Sequence, residues 1–332
     1  MQVNHWLDFQ MTAIEISHLP HKANKILSIQ SHVVHGYVGN KAATFPLQTL
    51  NWDVDVLNSV NFSNHTGYGA VEGECLSGKG IQDIFSGLRS IDINYDAILT
   101  GYIHGAETLD IIGGECIEVK RKKPHALWLL DPVMGDEGQL YVSKNVIPIY
   151  KKILRSKSVD IITPNQFELE VLLGHKIPDL QSLKLAVQQL HAVFGIKYLV
   201  VSSLSLTGKQ LGLKGDRTDK LYCCVSAYNL KKLVFFEIEK FDSYFTGVGD
   251  LFSALLLDRV FKSHDILQST NEVLTIMSKV LYITRRLSID RLGKDVKAKI
   301  GDFNSMKECE LRIVECMTLY GQQDCNYEPF EL

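Results

Sequence analysis

Residues 242–257 read DSYFTGVGDLFSALLL, so a carboxylate, Asp250, follows two glycines and leads into a wall of apolar side chains. A charge in that position needs a partner. One chemistry is local: an aspartate at a helix start accepts a hydrogen bond from a free N–H of the first turn, worth about 1 kcal/mol. The other is catalytic. Gly247 and Gly249 permit a turn whose N–H groups, backed by the helix dipole, hold an anion, with Asp250 beside it as a base. These residues alone leave both readings open.

A second acid, Asp131, stands in LLDPVMGDEGQLYV, directly after an apolar run and before a proline. There it can face a phosphate–metal complex or cap a turn. Asp136 and Glu137 follow in a glycine-bracketed loop suited to act as a lid. In ITPNQFELEVL, Asn165 and Glu168 are three residues apart and share one face of a nascent helix. Such hard oxygens suit Mg2+ bound through water. The plainer alternative is a helix start with a glutamate favouring the dipole. His32 and His35 have no third ligand at suitable spacing, so a structural role is expected.

These residues must be positioned by elements that the hydrophobic pattern predicts. Short apolar runs at 25–31, 53–59, 97–101, 126–132, 159–165 and 197–203 read as buried strands. Helical spacing lies between them, at Ala43, Leu47 and Leu50 within 36–52 with Pro46 as a kink or restart, and at 80–90, 105–120, 145–155, 166–173 and 180–194. Strands alternating with helices predict an α/β domain with a mostly parallel central sheet covered on both faces. Residues 204–232 break the rhythm with the polar surface stretch TGKQLGLKGDRTDK, Cys223 and Cys224 sit in a strand-like run as small packing residues, and 233–239 read as an antiparallel edge strand. Helices are expected at 250–262, 270–287 and 304–320. Ser31, Asn58, Ser59, Thr100, Asp131, Thr163, Asn165, Ser202 and Ser203 all fall at the C-terminal ends of apolar runs. In open α/β sheets that edge binds ligands.

Composition narrows the class. The chain has 332 residues, 45% hydrophobic, with a formal net charge of -3, enough apolar sequence for a large core. The basic run VKRKKP at 119–124 reads as a solvated helix end, so nothing points to nucleic acid or an anionic membrane. No apolar run approaches the roughly 18 residues of a membrane span. Seven cysteines without a C-x-x-C pair suggest reduced thiols in a cytoplasmic or nuclear compartment. Residues 1–24 read as a disordered extension, and 25–325 as a single domain.

Taken in order, SIQSHVVHGYVGNKAATFPLQTL, NSVNFSNHTGYG, LTGY, DPVMGDEGQLYV, DIITPNQFELE and FTGVGDLFSALLL resemble the signature segments of pyridoxal kinases, within the ribokinase superfamily. The resemblance runs from about residue 25 to 262 and is strongest to the fungal branch. It implies a ribokinase-like α/β fold, usually a homodimer, that moves the γ-phosphate of ATP to the 5′-hydroxyl of pyridoxal, pyridoxine or pyridoxamine. By motif, Ser31 and Thr66 match ring contacts, and Val38, Phe62, His65 and Tyr102 match residues shaping the vitamin pocket. Asp131, Thr163, Asn165 and Glu168 match positions that organise Mg2+ and an activating monovalent cation such as K+ around ATP. Asp136 matches the start of the lid, and Ser202 and Ser203 a nucleotide-side contact. Gly247, Val248 and Gly249 match the anion hole, and Asp250 the catalytic base, which also contacts the vitamin.

The sequence departs from the family in places. Val248 stands where many members have threonine, the lid is shorter than in animal relatives, and IHGAE follows LTGY in place of a basic residue. Two further readings stay open: a related kinase acting on hydroxymethylpyrimidine, and a non-catalytic binding or scaffold protein.

Overall fold

The computed structural model describes residues 22–136, 138–214, 219–230 and 232–332. Nearly all of the expected extension, Glu137 and part of the polar stretch at 204–232 lie outside the described residues.

Apolar runs rich in β-branched residues become strands because a two-sided sheet buries every side chain along them. β1 (Asn24–Val33) carries Ile26, Leu27 and Ile29, all buried. β2 (Trp52–Phe62) and β4 (Ala97–Thr100) flank it in parallel, and β5 (Leu127–Leu130), β8 (Ile161–Ile162) and β9 (Tyr198–Leu204) continue the parallel series. Antiparallel strands finish both sides: β3 (Gly73–Cys75) beyond β2, and β10 (Lys220–Ala227), β11 (Val234–Glu239) and β12 (Phe330–Glu331) beyond β9. The sheet order is β12-β11-β10-β9-β8-β5-β4-β1-β2-β3. A separate small hairpin pairs β6 (Gly135–Asp136) with β7 (Gln139–Leu140).

Helices divide between the two faces. Those named α2 (Gly78–Ser90), α3 (Ala106–Lys122), α4 (Val146–Arg155), α5 (Gln166–Leu173) and α6 (Leu180–Phe194) bury their apolar stripes in one core. On the other face, α1 (Asn40–Thr49), α7 (Val248–Ser263) and α8 (Ile266–Leu292) share a second core. Their ends follow local chemistry. Asp179 and Asp265 cap α6 and α8 through their carboxylates, and Gly195 ends α6 at φ 67, where a Cβ is disfavoured. The basic run closes α3, with Lys120, Arg121 and Lys122 in its last turn facing the negative dipole end.

Four expectations change. The helix expected at 304–320 stops after α9 (Phe303–Glu308), because Leu311 and Ile313 bury in the core and Glu310 turns inward to polar partners. A continuous helix could not aim all three. The strand at 233–239 is antiparallel but does not form the edge, since β12 pairs with it and Phe330 stacks on Phe235 at 5.7 Å. The stretch 204–232 is not all surface: its later part is the buried strand β10, where Cys223 and Cys224 pack as the small core residues their strand-like run predicts. Finally, α1 passes through Pro46 without restarting.

Leu255 lies at the centre of α7 with no exposed surface. Leu255→Ala should lower the unfolding free energy by about 2–5 kcal/mol through lost burial and a residual cavity, read as a lower urea midpoint.

Candidate active site

The parallel strands all point their C-terminal ends to one edge, and the expected residues follow strand order along it. Ser31 is the first residue after a register shift that follows Gln30, near the end of β1. Phe62 ends β2, and Tyr102 lies two residues past β4. Asp131 follows β5, Thr163 follows β8, and Ser202 and Ser203 lie on β9. The edge therefore has two halves, one built on β2, β1 and β4, the other on β5, β8 and β9.

The start of α7 docks between them. Its N-cap is Gly247, in the left-handed region at φ 77, with no side-chain cap. Asp250 is the third helical residue, so the reading of it as an N-cap is corrected. Its carboxylate lies near the backbone N–H of Gly39. The first-turn N–H groups of α7 have no intrahelical acceptor and are available to an anion. Gly247 is required twice: by its φ, and because a Cβ there would come within 2.0 Å of the Tyr37 carbonyl oxygen and 3.5 Å of Val38 Cα. Val38 is thus beside the glycine turn. Gly39 packs onto Ser31 as closely, with a Cβ position 2.1 Å from the Ser31 carbonyl oxygen. Ser31, Gly39 and Asp250 form one contact chain.

On the other side Asp250 faces Asp131. Ser253, one turn after Asp250 on the same helix face, donates to Asp131 Oδ2 at 3.1 Å, and its Oγ shares a hydrogen bond with Thr163 at 3.0 Å. Gly249 comes close enough that a Cβ on it would lie 3.6 Å from Asp131 Oδ2. Behind Asp131, Asn165 and Glu168 form a capping box at the start of α5. Glu168 Oε2 accepts the Asn165 N–H at 3.0 Å, while Oε1 accepts the Met134 N–H at 2.8 Å. Asn165 Nδ2 donates to the Gly135 carbonyl at 2.8 Å. Both readings of this pair hold: it starts a helix, and it pins the loop that carries Asp131 and the β6–β7 hairpin with Asp136.

The electrostatics are one-sided. Burial pushes the Asp131 carboxyl up to about 8, with the Asp250 charge adding to it and the Ser253 and Thr163 hydroxyls opposing it. Burial and then Asp131 hold Glu168 above the usual carboxylate range, opposed by backbone N–H groups. Burial also raises Asp250, and the Gly39 N–H limits the rise. Among the described residues no Lys or Arg compensates these acids. Nor does any cluster of His, Cys, Asp or Glu there form a complete metal cage. A concentration of hard oxygens short of positive charge fits Mg2+ carried in on phosphate oxygens and water.

The remaining expected residues sit on the rim. His65 caps the turn Thr66–Tyr68, accepting the Gly67 N–H at 3.0 Å, and burial lowers its pKa. Thr66 is exposed at the head of that turn. Tyr102 shares a hydrogen bond with His104 at 3.2 Å, and its carbonyl accepts from Ser59 at 2.9 Å. Ser202 donates its N–H to Pro164, so its backbone serves the sheet. His35 packs edge-on against Tyr68 and the two histidines form no metal cluster. Sequence reasoning missed Gly39, Ser253, Thr246 and Glu310. Ser253 had a signal, its i,i+3 spacing from Asp250; Glu310, far along the chain, had none.

Comparison with known proteins points to one family. Residues 55–288 match the family model described as phosphomethylpyrimidine kinase. The Saccharomyces cerevisiae protein BUD16, provisionally named a pyridoxal kinase, is 46% identical over 89% of this chain and 95% of its own length. The pyridoxal kinase of Ovis aries is 37% identical over 88% of this chain and 93% of its own. Among solved structures, pyridoxal kinase from Leishmania donovani in complex with ADP and pyridoxamine superposes with a TM-score of 0.79 at 30% identity, covering 93% of this chain and 99% of that one. Plasmodium falciparum PdxK with AMP-PNP and PL superposes with a TM-score of 0.77 at 29% identity, covering 94% and 100%.

Two outcomes follow from the geometry. Gly247→Ala should destabilise the fold by about 1–3 kcal/mol and abolish most turnover, because the Cβ is strained at that φ and collides with Tyr37; urea unfolding with steady-state rates checks it. For Asp131, the unfolded chain loses its proton near 3.8 while the folded one holds it to about 8. Folded protein binds the excess protons in that window, so ligand-free stability should fall as pH rises through it. Asp131→Asn should flatten the slope and raise the melting temperature at the alkaline end, measured in chelator; an unchanged slope refutes the assignment.

Proposed function

The chain belongs to the pyridoxal kinase family, and on that premise we propose how its residues perform the reaction. It is an ATP-dependent kinase that phosphorylates the 5′-hydroxyl of pyridoxal, and of pyridoxine and pyridoxamine, giving pyridoxal 5′-phosphate. The vitamin ring occupies the half of the edge built on β2, β1 and β4, against Ser31, Val38, Phe62, His65, Thr66 and Tyr102. ATP occupies the half built on β5, β8 and β9, over Asp131, Thr163, Asn165, Ser202 and Ser203, with Asp136 in the covering hairpin. The observation that carries this is the position of Asp250, near the Gly39 N–H beside Ser31 and close enough to Asp131 for its charge to act there.

Phosphoryl transfer needs alignment and charge stabilisation more than covalent chemistry. Backbone N–H groups of Gly247, Val248 and Gly249 receive the γ-phosphate oxygens, and since these donors are main-chain, valine at 248 leaves them in place. Asp250 accepts the proton of the attacking hydroxyl, its raised pKa bringing it nearer the working pH. Asp131 would hold Mg2+ through oxygen and water, with Thr163 and Glu168 organising its surroundings. When bound, the ion neutralises phosphate charge. Glu168 serves through the loop it pins, since both of its oxygens accept backbone N–H groups. A monovalent cation such as K+ belongs to the same reading.

The hydroxymethylpyrimidine alternative draws support from the name of the matching family model, but relatives aligned over most of their length are pyridoxal kinases. The proposal extends to a homodimer in the cytoplasm, with the nucleus as a further location. Cysteines without disulfides support a reducing compartment, and no helix among the described residues is long and apolar enough to cross a membrane.

Purified protein with ATP and Mg2+ should form pyridoxal 5′-phosphate, with pyridoxine competing better than hydroxymethylpyrimidine. Asp250→Asn should reduce kcat by about 10²–10⁴-fold with pyridoxal binding retained by calorimetry. Wild-type turnover in that variant would remove Asp250 as the base.

A further inference from the structure

After α8 the chain returns across the vitamin side as a strap. The Ala298 N–H donates to Ser243 Oγ at 3.0 Å, tying the strap to the loop that leads into the glycine turn. The Gly301 N–H donates to the Gly67 carbonyl at 2.7 Å, and Met306 packs against Gly67. The strap ends at Glu310, whose side chain is buried among polar donors from distant parts of the chain. Its Oε2 accepts the Tyr37 N–H at 2.9 Å and the Thr246 hydroxyl at 3.2 Å. Its Oε1 accepts the Tyr68 hydroxyl at 2.6 Å. Gly36, at φ +86, allows the approach: a Cβ there would lie 2.3 Å from Oε1.

Each partner belongs to a different part of the site. Thr246 immediately precedes the glycine turn. Tyr37 supplies the carbonyl that Gly247 packs against, and lies two residues before Gly39, whose N–H lies near Asp250. Tyr68 ends the turn that begins at Thr66 and is capped by His65. One carboxylate therefore sets the spacing between the phosphate cradle, the Asp250 support and the vitamin wall.

We propose that Glu310 is a positioning residue that couples the vitamin pocket to the phosphate cradle. This rests on the functional reading above. Removing a hydrogen bond to a buried carboxylate disturbs the element that made it, and kinetic parameters separate the elements. Thr246→Val removes one hydroxyl from the cradle side and should lower kcat roughly tenfold with pyridoxal KM little changed. Tyr68→Phe removes one from the vitamin side and should raise pyridoxal KM several-fold with kcat little changed. Glu310→Ala should do both, and Glu310→Gln, which keeps an acceptor and the shape, should recover part of each. Should Glu310→Ala fail to fold, the two hydroxyl variants carry the test. Active wild type with a uniform loss of kcat across the variants, unchanged KM and a parallel loss of melting temperature would make Glu310 a structural pin and overturn the proposal. Variants indistinguishable from wild type would overturn it too. Wild type that makes no pyridoxal 5′-phosphate would sink the functional reading first, and this inference with it.

Discussion

Mutual repulsion among acids without a counter-cation is the constraint around which this protein is built. Burial raises the carboxyls of Asp131, Glu168 and Asp250, and the Asp250 charge adds to the rise at Asp131 as the Asp131 charge does at Glu168. They are held there by hydroxyls and backbone N–H groups, which satisfy lone pairs without supplying charge. Such a cluster is unfavourable in an empty domain, and under the proposed function a phosphate–metal complex would offset that cost. Stability given up here is the usual consequence of preparing a site for a charged transition state.

The sheet makes the arrangement possible. Parallel strands deliver all of their C-terminal ends to one edge, so side chains separated by a hundred residues become neighbours in strand order. Both faces are covered by helices, which leaves that edge as the place where polar strand ends meet solvent and ligand. α7 then acts as a wedge. Its apolar face enters the second core, and its first turn presents N–H groups and Asp250 between the two halves. The apolar run after Asp250 is therefore an anchor: the leucines fix the height at which the carboxylate stands.

Much of this was legible locally. Strands and helices up to residue 203 lie within a few positions of where apolar periodicity puts them, because burial on both sheet faces leaves an unambiguous pattern. The capping box of Asn165 and Glu168 was readable from spacing, and Gly247 and Gly249 from the need for an unusual turn. Three features were not. The helix expected at 304–320 had good local periodicity, but Glu310 is drawn out of it by partners at Tyr37, Tyr68 and Thr246. The strand at 233–239 carried no mark of the partner waiting at Phe330. Asp250 carried a strong N-cap signature, yet the left-handed turn at Gly247 starts the helix earlier and frees the carboxylate.

By itself the sequence determined the fold class, the strand edge on which the polar candidates gather and the family to which the chain belongs, since these depend on periodicity and on short motifs whose residues act on their own neighbours. Tertiary structure decided which acids lie close together, that Ser253 and Thr163 steady Asp131, and that a glutamate from the far end of the chain accepts hydrogen bonds from Tyr37, Tyr68 and Thr246. The physical reason is separation along the chain. A cap or a turn is set by residues within a few positions, whereas a carboxylate's charge and hydrogen bonds are set by whatever the folded sheet brings beside it.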